Sequence, residues 1–378
     1  MKILIGADLV PTDTNIALFS AADTGAMVGE KLQALLQEAD FRIFNLEVPL
    51  TDNEAPIEKC GPALIAPAAT VAGYKALGAD LLTIANNHIM DQGAAGFAST
   101  RQLLEGVGIA YVGGGDDLAA AAKPYVLELD GKKLGIYACA ENEFSIAGET
   151  TPGANPFDPL ESPDHVAALK ACCDYVIVLY HGGKEHYRYP SPLLQKTCRK
   201  LVEKGADLVL CQHSHCIGCE EKYEGGTIVY GQGNFLFDHS TREHWQTGLL
   251  VQLDGEFNIT YIPVRKTENT VRLAEGEDRE SILSQFRARG EEIKDPEVLK
   301  KHYVAFARTM GENYLTALGG KESFLFRAFN KLLGGKPRRS SHKRRYTKRN
   351  TLTIENFICC EAHRELLTAF LQDHKKEG

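Results

Sequence analysis

The sequence predicts a layered α/β chain followed by a small helical region. Three observations carry this reading. Five short β-branched runs each end in polar or Gly-rich residues, amphipathic helical patterns lie between them, and the texture changes near residue 271. At 378 residues the chain is long enough for two or three compact domains around an extensive core.

The elements follow in order. KILIGAD (2–8) is the first strand and ends at Asp8, after which Leu32, Leu35 and Leu36 mark a helix that covers one sheet face. RIFNLE (42–47) ends at Glu47. LLTIANNH (81–88) delivers Asn87 and His88, and a helix that begins near Gly93 continues through Leu103, Leu104 and Val107, with Asp91 as its cap should these residues only form a turn. YVIVLYHGG (175–183) presents His181, and Leu193, Leu194, Cys198, Leu201 and Val202 form the apolar stripe of a third helix. DLVLCQHSH (207–215) closes on His213 and His215. Residues 124–139 and 227–265 alternate like strands, with turns at Asp130-Gly131 and Asp254-Gly255, so the sheet is mixed or doubled into a sandwich. PEVLKKHYVAFART and TIENFICCEAHRELLTAFLQ are helical, which divides the chain into residues 1–270 and 271–378.

Charge follows the same division. Residues 1–270 carry 20 Lys and Arg against 35 Asp and Glu, and the remainder carries 22 against 15, so the first part suits divalent cations better than nucleic acid. KPRRSSHKRRYTKR (336–349) holds eight Lys or Arg and reads as a solvated linker, with a phosphate or nucleic-acid contact as the alternative. No apolar run approaches the roughly 18 residues of a membrane span. MKILIGAD looks like neither a signal peptide nor an anchor, and ten cysteines without a small-scaffold spacing suit a reducing compartment, so the expected localisation is cytoplasmic.

The candidate chemistry lies where the strands end. Asp8, Glu47, Asn87, His181, His213 and His215 all follow predicted strands, and open α/β sheets gather functional groups beyond the carboxyl ends of their strands. Carboxylate, amide oxygen and imidazole together suit one or two divalent ions such as manganese, iron or zinc. Two such ions about 3.5 to 4 Å apart bind a phosphoryl oxygen, acidify water and stabilise a leaving oxygen. Each residue alone also has an ordinary role: Asp8 as a helix cap, Glu47 as a surface charge, Asn87 and His88 in a turn, His181 as a structural histidine.

His213 and His215 admit two geometries. On a continuing strand their rings share one face; if the strand stops at Gln212, a loop aims them at separate ions. The surrounding CQHSHCIGC (211–219) also suggests a zinc knuckle through Cys216 and Cys219, but one CxxC without a second pair is a weak signal.

GAD (6–8), NLEVPLT (45–51), ANNHIMDQG (85–93), HGGKE (181–185), QHSH (212–215) and GQGNFLFD (231–238) together resemble the bacterial CapA family, linked to poly-γ-glutamate capsule synthesis. That family is similar in fold to calcineurin-like metallophosphatases. The resemblance covers roughly residues 1–265 and implies a four-layer α/β/β/α metallophosphatase-like sandwich with a C-terminal helical extension. It further implies that Asp8 and His215 hold one metal, that Asn87, His181 and His213 hold another, and that Glu47 bridges them. His88, oriented by Asp91, would protonate the leaving group, and Glu185, Asn234 and Asp238 would bind substrate or support the site. Two positions depart from the pattern: Val10 stands where a histidine ligand is usual, and Glu47 where the bridge is usually aspartate. The expected activity is metal-dependent hydrolysis of a phosphoester or a γ-glutamyl amide in a small or polymeric anionic substrate. The alternative is a non-catalytic protein that binds metal or polyanion during capsule polymer assembly.

Overall fold

In the computed structural model, which describes residues 1–320 and 322–377, the apolar runs form two stacked sheets. β1 (Ile3–Val10), β2 (Phe41–Asn45), β3 (Leu81–Thr83) and β4 (Ala110–Val112) run parallel in the first sheet. Their crossovers carry α1 (Ile16–Ser20), α2 (Thr24–Gln37), α3 (Val71–Ala76) and α4 (Gly93–Gly106).

After β5 (Gly114–Gly115) and α5 (Leu118–Ala121), a hairpin of β6 (Tyr125–Leu129) and β7 (Lys132–Ala140) opens the second sheet. Its two-residue turn is Asp130-Gly131, both with positive φ, as the sequence predicts. β8 (Gly153–Ala154) pairs back with β5. The chain continues through α6 (Ser162–Lys170), β9 (Tyr175–His181), α7 (Pro192–Glu203), β10 (Leu208–Gln212), β11 (Glu220–Tyr223) and β12 (Gly226–Val229), giving the order β11-β12-β10-β9-β7-β6. β13 (Asn234–Phe237) then pairs with the end of β1, and β14 (Thr247–Leu253), β15 (Ile259–Thr267) and β16 (Thr270–Leu273) extend the first sheet antiparallel.

Period-two alternation distributes these strands among three apolar layers. Ile3, Ile5, Ile43 and Leu81 meet Ile136, Ile177, Leu179, Leu208 and Leu210 between the sheets. Leu4, Phe44 and Leu82 face Met27, Leu32, Phe97 and Leu104 of the first helical layer, and Val176, Val178 and Val209 face Val166, Leu169, Cys198 and Leu201 of the second. The architecture is therefore α/β/β/α, a sandwich rather than one mixed sheet. One position differs from the expected helical stripe: Leu193 is 72% exposed, and the buried face of α7 starts at Leu194.

The sheets end at Leu273, close to the change of sequence texture, yet the first compact unit extends from Met1 to Tyr303. The reason is α8 (Gly276–Glu292), whose Ile282, Leu283 and Phe286 belong to the inter-sheet core. Val304–Gly378 forms the second unit. α9 (Pro296–Leu318) leads into it, followed by α10 (Phe324–Leu332), α11 (Lys336–Arg345), α12 (Lys348–Cys359) and α13 (Glu361–Glu377). The basic stretch 336–349, expected as a linker, is helical over most of its length. Pro337 sits in the first turn of α11, where a missing N–H leaves no helix bond unmade, and Thr347 caps α12.

Arg289 of α8 is buried and donates Nε to the Gly218 carbonyl at 2.7 Å and Nη2 to that of Ile217 at 3.2 Å. It thus holds the loop that follows His215. Arg289→Met leaves both carbonyls short of this donor and is expected to lower stability by about 2 kcal/mol, read as an earlier midpoint in urea denaturation.

Candidate metal centre

The centre lies beyond the carboxyl ends of strands from both sheets. Asp8 sits in β1 beside Asn45 of β2 on one side and Asn234 of β13 on the other, with the register breaking at Asp8 on both. Glu47 follows β2 by two residues, and His181 is the last residue of β9. Asn87 occupies the turn after β3, which is held by the Asn86 amide donating to Asn45 Oδ1 at 3.1 Å and to the Leu46 carbonyl at 2.8 Å. β10 stops at Gln212, and His213 and His215 both adopt left-handed backbone, φ +80° and +52°. The loop geometry therefore holds and the strand-face geometry does not. Gly218 closes that loop where a Cβ would lie 1.9 Å from the Tyr230 carbonyl oxygen, so no other residue fits.

Two ligand sets result, and they share Glu47. His181 Nε2 lies 3.0 Å from Asn87 Oδ1, 3.1 Å from His213 Nδ1 and 3.3 Å from Glu47 Oε1. Across Glu47, His215 Nδ1 lies 3.2 Å from Asp8 Oδ2. Glu47, His181 and His213 form one group whose ligand atoms converge, and Asp8, Glu47 and His215 form the other. All these side chains are buried, yet Asp8 Oδ2 and both Glu47 carboxylate oxygens have no hydrogen-bond donor among the described residues. Buried carboxylate oxygens without donors are costly. Divalent cations answer that need, and carboxylate, amide oxygen and imidazole are donors that suit them, so the donor set fits.

The electrostatics agree. Burial and then the Glu47 charge push the Asp8 carboxyl up, whereas His181 and His215 outweigh burial and hold Glu47 below the usual carboxylate range. Burial and then His181 push His213 well down and keep it neutral. Burial opposes a charge on His215 as well, but Glu47 and Asp8 raise it to about 9.

Residues 5–239 match the family described as Bacterial capsule synthesis protein PGA_cap. The chain belongs to this family. Among curated relatives it is 28% identical over 212 residues to the capsule biosynthesis protein CapA of Bacillus anthracis, covering 54% of this chain and 52% of the relative. It is 30% identical over 199 residues to the PGA biosynthesis protein CapA of Bacillus subtilis, covering 49% and 51%. The chain thus spans about half the length of these relatives. Among solved structures, a hypothetical protein from Thermus thermophilus aligns with 71% of this chain and 100% of its own, at 14% identity and a TM-score of 0.46.

The PGA_cap region contains every sequence-predicted site residue, and the structure separates their surroundings. His88 Nδ1 lies 2.6 Å from Asp91 Oδ2, and Lys59 Nζ lies 2.6 Å from Asp91 Oδ1, so that carboxylate sits between an imidazole and a buried ammonium. His88 and Glu185 line a cavity of about 330 Å³ beside the ligand groups, together with His186, His215, Arg242 and Trp245. Asn234 is buried, with its Oδ1 2.9 Å from His215 Nδ1. Asp238 is ion-paired to Lys266 at 2.5 Å and accepts from the Thr14 hydroxyl at 2.6 Å, and it does not line the cavity.

Sequence reasoning missed several supporting residues. The Asn45 amide donates to Asp8 Oδ1 at 2.7 Å and lies 3.3 Å from His181 Nδ1; it stands inside NLEVPLT, one strand end already singled out. Glu141 and Glu143 follow β7 and reach the Gly183 amide and the Asn87 side chain, each at 3.0 Å, a position the strand-end rule also covers. Trp245 stacks on His215 with ring centroids 4.4 Å apart and donates Nε1 to His186 Nε2 at 3.1 Å. Nothing in the sequence marks Lys59 or Trp245. The zinc knuckle finds no support: Cys216 and Cys219 are buried, burial pushes the Cys216 thiol up to about 11, and no cysteine joins a ligand group among the described residues.

Trp245 is the chain's one tryptophan, so titrating manganese or zinc into chelator-treated protein is expected to change its fluorescence, and Asn45→Ala is expected to weaken that binding by about 10 to 100-fold. A metal must displace the proton of His215, whose affinity for it persists to about pH 9. Binding followed in the same way is therefore expected to tighten as pH rises from neutral towards that value, and to level off above it.

Proposed function

We propose that this chain is a metal-dependent hydrolase that cleaves a phosphoester in an anionic substrate, small or polymeric, within capsule or poly-γ-glutamate metabolism. The observation that carries the proposal is the Glu47 carboxylate, buried and without donors, facing one ligand group on each side. Divalent ions bound there supply Lewis-acid polarisation of the phosphoryl group and acidify water.

The chain's own residues do the rest. Asp8 and His215 hold one side, Asn87, His181 and His213 the other, and Glu47 serves both. His88 donates Nδ1–H to Asp91, which leaves Nε2 to protonate the leaving oxygen. Lys59 fixes the Asp91 carboxylate on its other oxygen. Glu185 stands at the cavity wall, and Asn234 Oδ1, against His215 Nδ1, orients that ring.

Val10 favours a second reading. It is buried among apolar neighbours and leaves the Asp8 side with fewer ligands, which suits a protein that binds metal and polymer without turnover.

Purified full chain, stripped of metal and resupplied with manganese, iron or zinc, separates the two when offered phosphomonoesters, phosphodiesters and γ-glutamyl peptides. Hydrolysis is expected to require metal, to be lost with the metal in His213→Ala, and to fall roughly 100-fold or more in His88→Ala at unchanged metal content. Full metal loading with no turnover of any of these substrates supports the binding reading instead.

A further inference from the structure

Residues 323–354 contain ten Lys and Arg and no Asp or Glu, a charge density that neither the PGA_cap match nor the metal centre uses. The same stretch exposes a strong apolar face. In α10, Phe324 is 74% exposed, Leu325 78%, Phe329 53% and Leu332 82%. At about 100° per residue, Phe324, Ala328, Leu332, Leu325 and Phe329 fall on one continuous arc, with Lys331 and then Arg327 next to its edge. Soluble surfaces rarely leave such an arc in water.

The basic helix is fastened to this one. Buried Asn330 accepts at its carbonyl from the Gly335 amide at 2.8 Å and at Oδ1 from the Arg338 amide at 3.0 Å, which joins the end of α10 to the start of α11. Arg338 is paired with Glu322, but Lys336, Lys343 and Arg344 have no carboxylate partner among the described residues.

We propose that α10 and α11 form a peripheral docking element for an anionic phospholipid surface. Phe324, Leu325, Phe329 and Leu332 enter the boundary between headgroups and acyl chains, Lys331 and Arg327 extend to the phosphates, and the cations of α11 meet the negative surface charge. No helix among the described residues is long and apolar enough to cross a membrane, so the element lies on the bilayer. A nucleic acid would neutralise the same cations but leave the apolar arc in water; a lipid surface covers both.

Flotation of the full chain with phosphatidylcholine vesicles, with and without phosphatidylglycerol, tests the proposal. Binding is expected only to vesicles containing phosphatidylglycerol and is expected to decline as sodium chloride is raised. K336Q/K343Q/R344Q should weaken it by roughly 100-fold, and F324S/L325S/L332S by roughly tenfold or more without changing the charge. All six positions are exposed, so circular dichroism should match the parent chain in both variants. Equal binding to both vesicle types overturns the proposal, as does parental binding by the apolar variant. Tighter association with single-stranded RNA or duplex DNA, insensitive to the apolar substitutions, overturns it in favour of a nucleic-acid partner.

Discussion

Asp8 and Glu47 are two carboxylates buried at the ends of neighbouring strands, and the rest of the site is arranged around the charge they create. Neither can stay ionised in a low-dielectric interior without compensation. Protein groups answer only in part. Asn45 satisfies one oxygen of Asp8, and His181 and His215 approach Glu47 and Asp8 from the other sheet, while three carboxylate oxygens are left without donors. Divalent cations fit the unanswered oxygens, which is why the donor set is read as a candidate metal centre rather than a buried hydrogen-bond network.

Such a cluster needs a rigid base. Parallel strands buried on both faces bring residues distant in sequence to one edge, and the three apolar layers fix the distance between the sheets. The two histidines least constrained by strand geometry are held by other means. Arg289 ties down the Ile217 and Gly218 carbonyls, Gly218 permits close approach to Tyr230, and Trp245 packs flat against His215. A helix that the sequence places beyond residue 270 thus belongs to the mechanics of the centre.

The second unit follows a different physical logic. Its helices place many leucines and phenylalanines in solvent, and its charges are predominantly of one sign. The first unit covers its apolar surface internally, whereas α10 keeps an uncovered face next to a basic helix. The contrast separates a unit that holds a chemical centre from one suited to a surface contact.

Much of the centre was legible because strand ends can be read locally: a short apolar run followed by Asp, Glu, Asn or His marks both an element and the edge where it opens. That rule located Asp8, Glu47, Asn87, His181, His213 and His215, and it also covered Glu141 and Glu143, which were passed over. Strand patterns alone left the sheet mixed or doubled, and the resemblance implied the doubled form that the structure has; the loop conformation of His213 and His215 and the recruitment of Lys59, Trp245 and Arg289 were decided only by the tertiary structure. Periodicity reports which face of an element is apolar, but a contact such as that of α8 with the metal loop depends on how elements cross in space, and no local pattern encodes it. By itself the sequence determined the alternation of strands and helices and the chemical kind of the ligands; packing between the layers decided which of them share a carboxylate.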